Sequence, residues 1–330
     1  MKKHEIVNYL SGEDDPALWA QAGDILLQHC GNKVIIRGLI EFSSYCCRNC
    51  VYCGLRRENQ KLKRYRMSVD DIIEQACEIG RQGIGTTVLQ SGDDFFYERD
   101  MIEQIIKGIK KEFPDMAVTL SLGERSLDDY SAFKDGGADR YLLKHETINP
   151  KLYHQLHPGQ EFARRIDILE HLKKIGFQVG VGNIIGLPGQ TLKDLADDII
   201  FIRDFEPDMI GIGPFMPQEN TPLANHQSPE IKTVLRFLAL ARIVSLNAHI
   251  PATTAVGSLD KDQGASQALK AGANVIMANF TPSRFRPEYR IYDDKNAMDY
   301  YRCCDIIFDS GRDVSLERGD SLVNSGQVHI

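Results

Sequence analysis

Four of the chain's eight cysteines, Cys46, Cys47, Cys50 and Cys53, fall within eight residues. Iron–sulfur clusters need thiolates brought together by short loops, and Cys46-x3-Cys50-x2-Cys53 supplies three. Three thiolates on a four-iron cubane leave one iron without a protein ligand. An open coordination position is what lets a metal take up a substrate, and its natural occupant here is a chelating amino and carboxylate pair, such as the methionine end of S-adenosylmethionine. The overlapping Cys47-x2-Cys50-x2-Cys53 begins like a ferredoxin run, but that run needs a further Cys-Pro where Arg57 and Glu58 stand. No second C-x2-C or nearby histidine pair completes a tetrahedral zinc site. The spacing favours the three-thiolate cluster, with zinc and an electron-transfer centre as the open alternatives. Cys30 and Cys77 sit in apolar helical contexts and read as core thiols. Cys303 and Cys304 are vicinal on a helical run, where neighbours point in different directions and seldom share a metal.

Something must hold such a loop in place. From Lys33 onward, short β-rich runs alternate with amphipathic helical stretches: 34–42, 86–92, 117–123, 140–146, 179–188, 209–215, 250–256 and 274–280. Several runs are apolar almost throughout, as expected for parallel strands covered on both faces. Ser68 and Thr191 sit where helix N-caps belong, and Gly80, Gly83, Gly136, Gly137, Gly176 and Gly272 where helices end. Eight strands, each followed by a helix or loop, predict an α/β fold, a (β/α)8 TIM-type barrel; a barrel open at one seam and a doubly wound sheet are the alternatives. Residues 1–32 read as outer helices, 33–292 as barrel core, and 293–330 as a C-terminal helix (YYRCCDIIFDSG) and polar tail, all in one domain over 1–330. A barrel of this kind does its chemistry at the C-terminal ends of its strands. The cysteine loop, SGDD, SLGE, KHE, GLPGQ and TPSRFRPEY all fall there.

Apolar and charged fractions of 42% and 26% are those of a globular protein. Lys and Arg number 39 against 46 Asp and Glu, a net charge of −7. That balance argues against nucleic acid or an anionic membrane as the main partner. No apolar run is long enough to span a bilayer, and MKKHEIVNYLSGEDD lacks the apolar stretch of a signal peptide, so a cytoplasmic location is expected.

Cys46-x3-Cys50-x-Tyr52-Cys53 resembles the signature of the radical S-adenosylmethionine (radical SAM) superfamily. Longer segments, among them IEFSSYCCRNCVYCGLRRENQKLKRYRMS, GADRYLLKHET, GLPGQT, PATTA and GANVIMANFTPS, closely resemble the HydE family of FeFe-hydrogenase maturases over roughly residues 34–292. The resemblance implies one 4Fe–4S cluster on Cys46, Cys50 and Cys53, with S-adenosylmethionine bound to it. Gly92 and Asp93 then match the backbone that holds the methionine amino group. Ser121 and Arg165 match cofactor contacts, Glu146 a ribose acceptor, and Tyr52 and Leu187 neighbours of the adenine. Arg37, Gln90, Thr119, Arg140, Lys144, Thr253, Thr254, Met277, Tyr289 and Tyr292 match or approach the substrate-cavity lining. Each has a plainer reading as turn, salt-bridge partner or strand residue. The basic run Arg56, Arg57, Lys61, Lys63, Arg64 and Arg66 reads as a solvated loop face, with docking of an electron donor as its rival. Two departures stand out. Lys144 replaces an arginine of some HydE sequences, and lysine cannot form a bidentate fork. Only Cys303 and Cys304 remain where some members hold a second cluster with three cysteines, so no second cluster is expected.

The activity implied is reductive cleavage of S-adenosylmethionine to a 5′-deoxyadenosyl radical, which acts on a sulfur-containing iron–carbonyl–cyanide–cysteine complex. HydG, HydF and a flavodoxin or ferredoxin electron donor are the implied partners. The competing functions are a lysine-rearranging methylornithine synthase or a biotin-synthase-like enzyme of the same superfamily, and, from another class, a non-catalytic iron–sulfur or zinc scaffold.

Overall fold

The structure, a computed structural model, describes residues 1–323. Its strands are β1 (Lys33–Ser43), β2 (Thr86–Ser91), β3 (Ala117–Ser121), β4 (Arg140–Leu142), β5 (Gln178–Val181), β6 (Ile184–Ile185), β7 (Met209–Ile210), β8 (Gly213–Pro214), β9 (Pro251–Ala252), β10 (Val275–Asn279) and β11 (Asp313–Ser315). The main sheet runs β7-β5-β4-β3-β2-β1-β10-β9 with parallel pairing throughout. β6 and β8 prolong β5 and β7 after a two-residue break and pair with each other. Between β7 and β9 the ring is joined, among the described residues, by a parallel bridge, Met209 to His249, and by the Thr253 hydroxyl on Ile212 O, with no strand ladder. The result is the expected eight-staved α/β barrel, nearly closed, with one weak seam.

Strand burial explains the apolar runs. Every residue of β1 after Lys33 is buried, because helices cover its outer face and the barrel fills its inner one. The helix Val69–Arg81 starts where Ser68 accepts the amide of Asp71, and Leu192–Phe205 starts with a capping box between Thr191 and Asp194. Helices Lys3–Ser11 and Asp15–Cys30 pack outside, against Leu192–Phe205 and Ile231–Ser245. No helix among the described residues is long and apolar enough to cross a membrane.

Three sequence expectations change. The run 250–256 is strand only at Pro251–Ala252: Thr253 turns the chain into the helix Thr254–Leu259, accepting the Val256 amide and donating to Ile212 O. The polar tail after the helix Tyr300–Asp309 is not solvated at its start. β11 pairs with the beginning of β1, and residues 318–320 run beneath the barrel. The third change follows from the second. Arg37, Thr119 and Arg140 do not line the upper cavity. Arg37 donates to Met209 Sδ and Gly319 O, and Arg140 to Thr86, Gln178, the carbonyls of Arg318 and Gly319, and Asp320. Arg37 shares the inward parity of Leu39 and Glu41, which do line the cavity. It lies two residues lower, about 6–7 Å nearer the strand starts. Thr119, beside Arg140 in register, is buried with its hydroxyl unpartnered.

The floor also holds His249, whose Nε2 sits 2.9 Å from Asp320 O and Nδ1 3.1 Å from Asn274 Nδ2. Burial, aided by Arg37, pushes its pKa down to about 3. The unfolded chain therefore takes up the proton first, and stability present above pH 6.5 is lost as pH falls toward 3. The expected loss from this group is about 2 kcal/mol at pH 5. Urea unfolding at pH 7 and pH 5 checks it: His249→Gln should lack that share of the pH dependence.

Candidate active site

β1 delivers the cysteine loop to the barrel's upper rim. Cys46, Cys50 and Cys53 all border one cavity of about 370 Å³, a size suited to a small-molecule site. Burial pushes each of the three thiols up to about 12. Mutual repulsion adds to this, of Cys50 with Cys53 and of Cys53 with Cys46, so the sulfurs crowd one another. Cys47 is exposed. Among the described residues no three Cys, His, Asp or Glu converge on a single ion. A cubane places its three thiolates on three different irons, and a coordinating metal removes thiol protons outright. Three partly buried, mutually repelling thiols lining one cavity therefore fit an iron–sulfur cluster in chemistry and in number.

The neighbouring loops fasten this one. The Cys47 amide donates to Asp93 O, and Arg48 reaches Asp93 Oδ2 at 2.6 Å and Glu124 Oε2 at 3.3 Å. Gly92, next to Asp93, lies so close to the loop that a Cβ there would overlap Tyr45 O and stand 2.6 Å from Cys46 Cβ. Gly123 has φ +71°, and the Asp93 carboxylate fills the space its side chain would need. Gln160 Nε2 lies 3.3 Å from Cys50 Sγ, and its Oε1 accepts from Arg165, whose Nε stands 3.0 Å from Glu124 Oε1. That last pair is close but misaligned as a hydrogen bond, leaving Glu124 Oε1 without one.

Four residues beyond the end of β4, on the wall of the same cavity, stands Glu146, a non-glycine residue at φ +65°. Such strained backbone persists where surroundings impose it; here the Glu146 amide and carbonyl bridge to Gly182 and Ile184. Burial would raise the Glu146 pKa, but Lys144, His157 and Arg165 hold it below the ordinary carboxylate value. Its Oε2 lies 3.1 Å from Lys144 Nζ yet lacks an aligned hydrogen bond, so it keeps acceptor capacity at the cavity wall. Tyr52 donates to His157 Nε2 at 2.9 Å, because His157 Nδ1 faces the Tyr153 carbonyl at 3.0 Å. This fixes the ring beside the cysteines.

Of the residues expected at the site, the cavity brings together the three cysteines, Tyr52, Gly92, Asp93, Ser121, Glu146, Arg165, Gln90, Lys144, Thr253, Thr254, Met277, Tyr289 and Tyr292. Leu187 does not border it. Gln190 staples the turn through Gly186 N and Ile184 O, and Leu187 packs instead with Leu152, Leu156 and Phe215, behind Tyr52. Sequence reasoning missed Arg48, Gln160 and His157, as well as Glu124, Glu41 and Lys295. Arg48 was visible within the cysteine run. Nothing in the sequence marks Glu41 and Lys295, a buried pair joined across 254 residues, with Asn279 on the second Glu41 oxygen.

A parallel barrel whose upper-rim cavity is lined by three thiols and by a carboxylate that keeps acceptor capacity fits the radical SAM class of enzyme. The radical SAM superfamily model matches residues 40–202. The [FeFe] hydrogenase maturase subunit HydE of Thermotoga maritima is 47% identical over 279 residues, 84% of this chain and 79% of that one. The 3-methylornithine synthase of Methanosarcina acetivorans is 27% identical over 268 residues, 81% and 75% of the two chains. The crystal structure of methylornithine synthase (PylB) superposes with a TM-score of 0.85 at 23% identity, covering 95% of this chain and 94% of that one; this supports the fold. The chain belongs to the radical SAM superfamily and, within it, to the HydE family, whose cofactors are a 4Fe–4S cluster and S-adenosylmethionine.

Proposed function

We propose that this protein works as a HydE-type maturase in assembly of the [FeFe]-hydrogenase active site, converting a sulfur-containing iron–carbonyl–cyanide–cysteine complex. The observation that carries the reading is the 47% identity to a HydE along 84% of the chain. In this reading Cys46, Cys50 and Cys53 hold the single 4Fe–4S cluster. Bound together, cluster and S-adenosylmethionine supply reductive carbon–sulfur cleavage and a 5′-deoxyadenosyl radical. The protein supplies position, electrostatics and exclusion of water.

The backbone at Gly92 and Asp93 receives the methionine amino group, with Ser121 and Arg165 near its carboxylate. Glu146 accepts from the ribose hydroxyls, and Tyr52, held by His157, lies against the adenine. Leu187 acts only through Tyr52. Gln90, Thr253, Thr254, Met277, Tyr289 and Tyr292 form the substrate end of the cavity, with Lys144 as a point charge where a guanidinium would grip two oxygens. Arg37, Thr119 and Arg140 are floor residues with a structural role. A second cluster is not part of the proposal: Cys303 is fully buried, with its sulfur toward Met277 O. HydG and HydF are the proposed partners upstream and downstream.

Anaerobic turnover decides between this reading and a lysine mutase. With reductant and S-adenosylmethionine, the iron–cysteine complex should be consumed and lysine left untouched. Rearrangement of lysine, with the iron complex unchanged, would overturn the proposal.

A further inference from the structure

Behind the cysteine cavity lies a buried carboxylate beside three guanidinium groups. Glu124 is 2% exposed and does not border that cavity. It borders a smaller one of about 280 Å³, with Arg48, Gly159, Gln160, Glu161 and Arg164. Its Oε2 accepts from Arg48 Nη2 at 3.3 Å and has Arg164 Nε at 3.6 Å, while Oε1 faces Arg165 Nε at 3.0 Å. Its backbone is fixed on both sides. Gly123 turns the chain at φ +71°, the Glu124 amide donates to Asp93 Oδ2 at 3.2 Å, and the Arg125 amide donates to Tyr130 Oη at 2.8 Å. A held turn thus presents the carboxylate to the arginines.

The three arginines are not equivalent. Arg164 is exposed, and an exposed ion pair is worth little. Arg48 stands in the loop between Cys46 and Cys50. Arg165 is buried and borders the cysteine cavity. Its Nε donates to Tyr153 Oη at 3.2 Å and its Nη2 to Gln160 Oε1 at 3.1 Å; among the described residues Nη1 makes no hydrogen bond. The Glu124 contact is misaligned as a hydrogen bond. Glu124 therefore attracts the Arg165 charge without consuming its N–H donors. A buried ion pair is weak evidence for stability, because apolar packing often serves as well. A fixed anion that holds a cavity guanidinium in place, with a donor still available, serves orientation instead.

We propose that Glu124 is a positioning residue for the cofactor: it sets the Arg165 guanidinium toward the methionine carboxylate of S-adenosylmethionine and, through Arg48, ties that setting to the cysteine loop. The proposal rests on the reading that Arg165 meets that carboxylate. Glu124 acts through Arg165 and touches neither cofactor nor cluster.

The test uses cluster-loaded protein, with dithionite as reductant for turnover. Glu124→Gln keeps the shape of the side chain and removes its charge. Iron content should match wild type, because Arg48 keeps its pair with Asp93. The dissociation constant for S-adenosylmethionine, read from the change in the cluster's spectrum, should rise about tenfold, the low end for an outer-shell partner. The rate of 5′-deoxyadenosine formation at saturating cofactor should change by less than about twofold, the pattern of a loss confined to binding. In an Arg165→Met background the same substitution should add less than about twofold, since the two residues act as a unit. Glu124→Asp, which retains the charge, should recover part of the affinity, and Arg164→Ala should bind as wild type does. Unchanged or tighter cofactor binding in Glu124→Gln overturns the proposal. So does a full tenfold loss on top of Arg165→Met, or loss of iron together with affinity, which marks a merely structural role. If Glu124→Gln does not fold, Glu124→Asp with and without Arg165→Met carries the same comparison. Wild-type affinity in Arg165→Met alone overturns the underlying reading of Arg165 instead.

Discussion

Replacing Cys50 by alanine is expected to abolish the brown iron–sulfur chromophore and 5′-deoxyadenosine formation together. The loss should exceed the roughly 10–100-fold that follows removal of an outer-shell partner at a metal site. The reason lies in the surroundings of its sulfur. Cys50 is held by Gln160, and Gln160 in turn by Arg165. With the thiol gone, two sulfurs remain at the pocket, and the exposed Cys47 does not border it. The fold should survive, since the loop is fastened through Arg48 to Asp93 and Glu124 independently of Cys50. Iron content, electronic spectra and anaerobic S-adenosylmethionine cleavage are the measurements. Retained cleavage would show that Cys50 is no ligand and bring down the three-thiolate assignment.

The second large effect is expected at a residue with no side chain. In Gly92→Ala the new methyl meets the Tyr45 carbonyl and Cys46, backbone and loop atoms that cannot swing aside as a flexible side chain can. Overpacking of this kind costs typically 1–3 kcal/mol. Here the strain falls between the cysteine loop and the strand end proposed to hold the methionine amino group. The cluster should still assemble, while S-adenosylmethionine binds about 10–100-fold more weakly, the same energy read as affinity. Titration of the cofactor into loaded protein, followed by the change in the cluster's spectrum, measures it directly. Affinity within about twofold of wild type would place the cofactor's amino group elsewhere.

These two residues also show what could be read from the chain alone. Cys50 announces itself, because three cysteines in a short loop have few chemical uses. Gly92 was legible only through the family resemblance; by its own sequence it is a turn glycine, and its proximity to Cys46 comes from the neighbouring strand. The eight strands were all visible, since parallel strands buried on both faces leave apolar runs that survive without context. Inward parity was visible too, and the error at Arg37 and Arg140 was one of depth. Alternation tells which face a side chain takes, but not how far down the barrel it sits. That was set by β11 and Asp320, brought under the floor from the far end of the chain.

Leu187 failed for a similar reason. A side chain of Gln190 folds its turn, and no periodicity encodes such a staple. The pairing of Glu41 with Lys295 is more distant still, β1 meeting the loop after β10. The amino-acid sequence by itself determined the alternating fold, the cysteine loop and the rim on which that loop sits, because each is written in local spacing and in strand-length apolar patterns. Tertiary structure alone decided which cations plug the floor, which carboxylate keeps acceptor capacity at the cavity wall, and which charges face water beside the cysteines. Those outcomes depend on partners supplied by other elements, and burial gives a charge its energy only once the partner is in place.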